Sequence, residues 1–280
     1  MASGSVQLQN EMIAITLEPD FGARVTSLVD LQTGRNWLVA GELNGSQKDD
    51  AVFGGQQACG WDECFPTVAP CASEQWNRNL RDHGDMWGRP WATNVKEQAV
   101  HCEYAGSGFE FDRIINLVGN SLVVDYQVKN ISSARIPYLW SQHCLLAAEP
   151  GENIVLDGIE NLTGRDGAPD LQPIRSVDAN YASKSYSRVK QRASVGIDGA
   201  NENIRISWLA TDLPFFGLWL DFGGWPADGP VHQIAFEPTT APADDLNEAI
   251  EKSNEVWLAP SETRSWQVIF ELNANTNKGG

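Results

Sequence analysis

The sequence predicts an all-β protein, a large antiparallel β-sandwich with few short helices, and three observations carry that prediction. Apolar and polar residues alternate at period two in segments spread along the whole chain. Turn residues separate these segments at hairpin spacing, and helical periodicity is scarce. A chain of 280 residues can bury one full core, and sandwiches of this size fold as one unit. No repeat or proline- or serine-rich linker divides the sequence, so residues 1–280 are read as a single domain.

Ile13, Ile15 and Leu17 open the pattern. In Ser121 to Lys129, Leu122, Val124, Tyr126 and Val128 share one face and Val123, Asp125, Gln127 and Lys129 the other, as expected of a strand covered on one side. Ile204, Ile206 and Trp208 repeat the alternation, and so do Trp266, Val268, Phe270 and Leu272. The turns fall at Gln32 to Arg35, Ala105 to Gly108, Val118 to Asn120 and Asp198 to Ala200. Asp244 to Lys252, with Leu246 and Ile250 four apart behind an acidic start, predicts a short connector helix. Two stretches, Gly54 to Trp91 and Phe215 to Pro242, break the strand pattern and are dense in aromatic and charged residues, which predicts binding loops.

Composition narrows the partners. A formal charge of −17 repels nucleic-acid backbones and anionic lipid surfaces. Sugar phosphates are disfavoured for the same reason, unless Arg78, Arg81 and Arg89 form a local basic cluster. The first residues lack a basic and apolar leader pattern, and no apolar run approaches membrane-spanning length, so a soluble, cytoplasmic protein, monomer or homodimer, is expected. The five cysteines are odd in number and lack zinc-ribbon spacing, which fits a reducing compartment, mostly unpaired thiols and no metal. The sequons at Asn44, Asn130 and Asn161 are then chance matches. Nucleotide-binding glycine patterns and the G-x-S-x-G elbow are absent.

Eleven tryptophans, several beside charged residues in the two loop-like stretches, suit carbohydrate: flat aromatic faces stack on a pyranose while carboxylates and amides bond its hydroxyls. Trp61, Trp76, Trp87, Trp91 and Trp225 are the candidates. His143 falls on an apolar strand face in Tyr138 to Leu146, where it fits either a core histidine or a general acid near neutral pH. His83, between Asp82 and Asp85, fits a solvated turn or a ligand contact. Glu237 ends a strand, Val231 to Phe236, just before Pro238, which marks where the chain leaves the sheet. It shares a face with Gln233 and Ala235, and fits a rim residue or a held base.

Taken in order and spacing, four motifs resemble the aldose 1-epimerase (galactose mutarotase-like) family over nearly the whole chain. Leu17 to Leu28 followed by Thr33-Gly34 is similar to the family's opening hairpin, and Asp82 to Trp87 to its histidine-glycine segment. Asn130 to Leu146, with Trp140 and His143, resembles the stretch carrying its acid histidine, and Ile234 to Pro238 its base-glutamate strand. The resemblance implies a mutarotase-like supersandwich and a cofactor-free interconversion of sugar anomers. In that scheme Glu237 deprotonates the anomeric hydroxyl, His143 protonates the ring oxygen, His83 holds the sugar and Asp221 bonds its hydroxyls. Gly60 to Pro66 departs from the family's asparagine-arginine pair, so Asp62, Glu63, Arg78, Arg81 or Arg89 is expected to alter which sugar is read. Trp61, Glu63, Arg81, Trp87 and Arg89 join the expected binding set. Two other functions fit the same residues: a non-catalytic carbohydrate-binding domain, and glycosidic-bond cleavage by Asp62 or Glu63 with Glu237.

Overall fold

The computed structural model describes residues 4–43, 46–54, 57–164 and 167–273; the sequon asparagine Asn44 lies outside them, as do residues 55 and 56 of the first loop-like stretch. Among the described residues, sixteen strands join in one continuous antiparallel sheet. The sheet folds over on itself through Tyr181–Asp198, an 18-residue strand. Residues 181–188 of that strand pair with Phe215–Phe222 in one half of the molecule, and residues 192–198 pair with Asn203–Leu209 in the other. One half continues through His232–Thr239, Ser141–Leu146 and Trp61–Cys64 to the N-terminal hairpin, and the other through Thr263–Leu272, Ser121–Asn130 and Phe109–Val118.

The amphipathic strands form where alternation predicts them. Ile13, Ile15 and Leu17 are buried while their neighbours are partly exposed, and Ser121–Asn130 buries Leu122, Val124, Tyr126 and Val128. The helix runs Leu246–Glu251, capped by the Asp245 side chain, which accepts from the Glu248 amide at 2.9 Å.

Both stretches read as loops contain strands. Trp61–Cys64 is a central strand, Cys71–Ser73 pairs with Arg78–Leu80, and Phe215–Phe222 with His232–Thr239 forms the middle of the sheet. All four residues of Trp61–Cys64 are buried, as are seven of the eight in each of the other two central strands. A strand covered on both sides loses the alternation that advertises it. Pro238 does not end its strand. The ladder to Ser141–Leu146 pairs Ser141 with Thr239 and Cys144 with Phe236 but opens between them, and the missing proline N–H falls in that opening.

The halves meet over an aromatic core that encloses one charged network. Trp61 packs on Phe270 at 4.7 Å between ring centres. Glu63 accepts from Arg113, Tyr126, Trp61 and Trp140 at 3.0–3.1 Å. Glu63 and Arg113 are essentially unexposed. Burial pushes the Glu63 carboxyl up to about 7 against the pull of Arg113. Asn130 is also fully buried, its amide bonded to the carbonyls of Ala134 and Leu258, so its sequon is structural. Among the described residues no helix is long and apolar enough to cross a membrane.

Candidate active site

Strand register assembles the site. Asp62 is paired with His143, Glu237 with Gly217, and Gly217 with Tyr186. Because Ser141–Thr239 and Cys144–Phe236 share one register, the ladder opening sets His143 directly opposite Glu237. One residue from each of five adjacent strands therefore forms a row across one sheet face. A second row on that face carries Leu145, Ala235, Trp219 and Lys184.

Gly217 is required in this arrangement. A Cβ there would stand 3.0 Å from Glu237 Oε2 and 3.1 Å from Tyr186 Cε1. Its absence lets Lys184 reach across the strand and hydrogen-bond Glu237 Oε2 through Nζ, 4.0 Å from Asp244 Oδ1. Ser141 Oγ donates to the same Glu237 oxygen at 3.5 Å. The other oxygen, Oε1, has no hydrogen-bond partner among the described residues and stands 3.9 Å from His143 Nε2.

Loop residues close the opposite wall. Asp82 Oδ1 meets His83 Nδ1 at 2.7 Å, and Asp82 Oδ2 accepts from the Phe53 amide at 2.8 Å. Phe53 then stacks on the His83 ring, 4.1 Å between centres and 14° from parallel. His83 has a left-handed backbone with φ of 56° and stands edge-on to His143 at 4.8 Å. Gly84 follows at φ 72°, where a Cβ would lie 2.0 Å from the Phe65 carbonyl oxygen; the histidine-glycine pair is what lets this turn pack against the sheet.

The cavity between these walls measures about 180 Å3, opens to the surface, and is lined by Phe53, Val68, His83, His143, Lys184, Trp219, Trp225, Glu237 and Asp244. Three buried polar atoms of its lining residues, His83 Nε2, His143 Nδ1 and Glu237 Oε1, have no hydrogen-bond partner among the described residues. Buried polar groups ordinarily find one, so these atoms suit a hydroxyl-bearing ligand.

Electrostatics separate the ionisable groups. Burial raises the Glu237 carboxyl, and Lys184 pulls it back toward ionisation. Burial opposes the charge on Lys184, but Glu237 and Asp244 outweigh it and hold the ammonium. His143 is held well below the ordinary histidine value by burial, followed by the charges of His83, Lys184 and Arg24. The same surroundings make a protonated His143 a stronger acid than an ordinary imidazolium.

Of the expected residues, the structure brings His83, His143, Glu237 and Trp225 together. Trp61 and Glu63, expected at the sugar, project instead into the interior network, because they alternate with Asp62 and Cys64 along their strand. Asp62 is itself sealed against Arg24 at 2.9 Å. Trp87 is 1% exposed and packs behind His83, 5.4 Å between ring centres. Arg81 and Arg89 line a separate cavity, where Arg81 bonds the carbonyls of Trp87, Ser46 and Lys48 and Arg89 engages Asp49 and the Gln47 carbonyl. Arg78 there is paired to Asp85, so each of these arginines has partners within the chain, away from the His143 and Glu237 cavity. Asp221 is fully buried and caps a turn, its Oδ1 accepting from the amides of Gly224 and Trp225 at 3.0 and 3.2 Å; it supports Trp225 from beneath and does not line the cavity. Burial pushes its carboxyl up to about 6.

Phe53, Val68, Lys184, Trp219 and Asp244 are the cavity residues that the sequence did not single out. For Lys184 a signal existed. Tyr181 to Ser187 alternates serines with Ala182, Lys184 and Tyr186, which places a lysine and an aromatic on one strand face.

The fold has counterparts among solved structures. A galactose mutarotase related enzyme from Lactobacillus acidophilus superposes with a TM-score of 0.73 at 14% identity, covering 98% of this chain and 99% of that one. The chain has the galactose mutarotase-like fold. A Synechocystis protein matches with a TM-score of 0.73 at 16% identity over 96% of both chains. A galactose mutarotase-like protein from Lactobacillus casei matches with a TM-score of 0.70 at 13% identity, covering 96% of this chain and all of its own. No protein-family model and no curated protein sequence matches the chain. In this mutarotase-like fold the cavity lies on the sheet face carrying His143 and Glu237.

Proposed function

We propose that the protein interconverts the α and β anomers of a free sugar by acid–base ring opening. The observation that carries the reading is the unpartnered Oε1 of Glu237, 3.9 Å from His143 Nε2 in a small cavity walled by two tryptophans. The anomeric hydroxyl and the ring oxygen are bonded to the same carbon, so a base for one and an acid for the other must be neighbours. Glu237 Oε1 takes the hydroxyl proton while His143 Nε2 donates to the ring oxygen. The C1–O5 bond breaks, the aldehyde rotates about C1–C2, and closure on its other face returns both protons. His83, fixed by Asp82, binds a sugar oxygen through Nε2.

The pocket makes a protonated His143 a strong acid that is sparsely populated, and Glu237 a stronger base than an exposed carboxylate. A base shifted upward and an acid shifted downward leave a minority of molecules in the reactive protonation state, but each group is better matched to its task. Each group regains its starting proton, so the reaction consumes no cofactor. Lys184 acts on both groups: it favours the carboxylate and discourages the imidazolium.

Glycosidic cleavage by Glu63 with Glu237 is disfavoured because Glu63 faces the interior network. A purely binding domain uses the same cavity but predicts no catalysis. Anomer exchange by saturation-transfer NMR over a panel of free sugars tests the proposal: exchange faster than in buffer is expected for at least one sugar, whereas binding without faster exchange favours the binding domain.

A further inference from the structure

Two residues span the cavity between the His83 wall and Trp225. Phe53 stacks on His83 at 4.1 Å and meets His143 edge-on at 4.8 Å between ring centres. Gly54, at φ 148°, lies so close to Trp225 that a Cβ there would stand 2.9 Å from its Cη2 atom. Val52, just before them, is 72% exposed, so the segment runs along the surface with Phe53 turned inward. Phe53 rests on a small apolar cluster of Ala58, Leu145 and Ala235, separate from the main core. Its amide donates to Asp82 Oδ2 at 2.8 Å, while Asp82 Oδ1 meets His83 Nδ1 at 2.7 Å. One carboxylate thus fixes both the segment and the histidine it covers.

The cavity opens to the surface, yet the His143 side chain is only 8% exposed. The groups that face it are mostly polar. Glu237 Oε1 stands 3.9 Å from Nε2, Asp62 is its register partner, and His83, Lys184 and Arg24 act on it through their charges. Of the two rings in contact with it, His83 and Phe53, Phe53 is the apolar one, and an apolar ring excludes water without returning a hydrogen bond. Burial is the largest cause of the lowered proton affinity of His143.

We propose that Phe53 and Gly54 form a strap across the cavity, latched by Asp82, and that the Phe53 ring is the cover that keeps water from the His143 imidazole. The cover's part in catalysis rests on the acid–base reading: a shielded imidazolium gives its proton to the ring oxygen more readily than a hydrated one. Because the latch also orients His83, the closed strap and the sugar-binding histidine are set in one arrangement. Asp82 acts through both neighbours and is a positioning residue.

With only four histidines in the chain, NMR can follow each imidazole across the pH range in the free protein. His143→Ala assigns the His143 resonance, and His101, paired to Asp112 away from the cavity, is the internal control. Phe53→Ala is expected to raise the pH at which His143 takes its proton by about one unit, a tenfold change in proton affinity, and to leave His101 in place. Gly54→Ala, whose methyl group meets Trp225, is expected to move His143 in the same direction, whereas Phe53→Leu, which keeps an apolar cover, is expected to retain most of the wild-type behaviour. Asp82→Ala is expected to speed hydrogen exchange of the Phe53 amide about tenfold or more, read with isotope-labelled phenylalanine. A His143 titration unchanged in both Phe53→Ala and Gly54→Ala overturns the cover, and an unchanged Phe53 amide in Asp82→Ala overturns the latch. The acid–base reading fails separately: the expected titration shift, with wild-type anomer exchange no faster than in buffer, upholds the cover and removes its catalytic role.

Discussion

Replacing Lys184 by Met should move the whole pH–rate profile for anomer exchange to higher pH. Lys184 hydrogen-bonds Glu237 and its charge acts on His143; the ammonium lowers the proton affinity of both. Removing it raises both, so the acid and alkaline limbs, which report the ionisation of Glu237 and His143 as a pair, shift the same way. Unit charges ~4 Å apart at an effective dielectric constant of ~20 interact by about 4 kcal/mol, and one pH unit is worth ~1.4 kcal/mol. Even halved for the solvent that reaches Lys184, which is 20% exposed, this corresponds to an acid-limb displacement of about one pH unit or more. The assay is saturation-transfer NMR of a free sugar across the pH range, with Lys184→Arg as the variant that keeps the charge. An acid limb that stays in place or moves to lower pH in Lys184→Met refutes the coupling. So does a wild-type alkaline limb in the lysine range, which would identify the ammonium and not His143 as the proton donor.

Gly217→Ala places a methyl group 3.0 Å from Glu237 Oε2; exchange should slow about tenfold or more through misplacement of the base, while circular dichroism shows the fold retained. Arg113→Met strands the buried Glu63 carboxylate and should cost about 3–5 kcal/mol in urea denaturation, yet leave the exchange rate per folded molecule unchanged, since the network faces away from the cavity. Stability should also depend on pH in an unusual direction. The folded state raises Glu63 from 4.5 to about 7 and Asp221 from 3.8 to about 6, so it binds more protons than the unfolded chain from about pH 4 to 7. Stability from these groups is therefore present at low pH and lost as pH rises through that window, and the melting temperature should be higher at about pH 5.5 than at about pH 7.5.

The parts of the fold that could be read from sequence are those with one wet face. Ile13 to Leu17 and Ser121 to Lys129 alternate because water lies on one side of them. Trp61–Cys64, Phe215–Phe222 and His232–Thr239 bind the sheet together at its centre, but burial on both faces erases the alternation. The same blindness governed the site. Glu63 and Asp62 are adjacent carboxylates in an aromatic segment, and only the strand's two-residue period turns Glu63 toward Arg113 and Asp62 toward Arg24. Glu237 and His143 could be singled out by type and by family resemblance. Their meeting, and the lysine that charges the pair, depend on a ladder opening and a glycine that span five strands.

The most direct test of the account is anomer exchange on the wild type, Glu237→Gln and His143→Ala, measured on the same sugar. Wild type should exceed the buffer rate, and each substitution should remove about 10²- to 10⁴-fold of the acceleration, with sugar binding still detectable by tryptophan fluorescence. Exchange at the wild-type rate in both variants would contradict the assignment of these two side chains as base and acid.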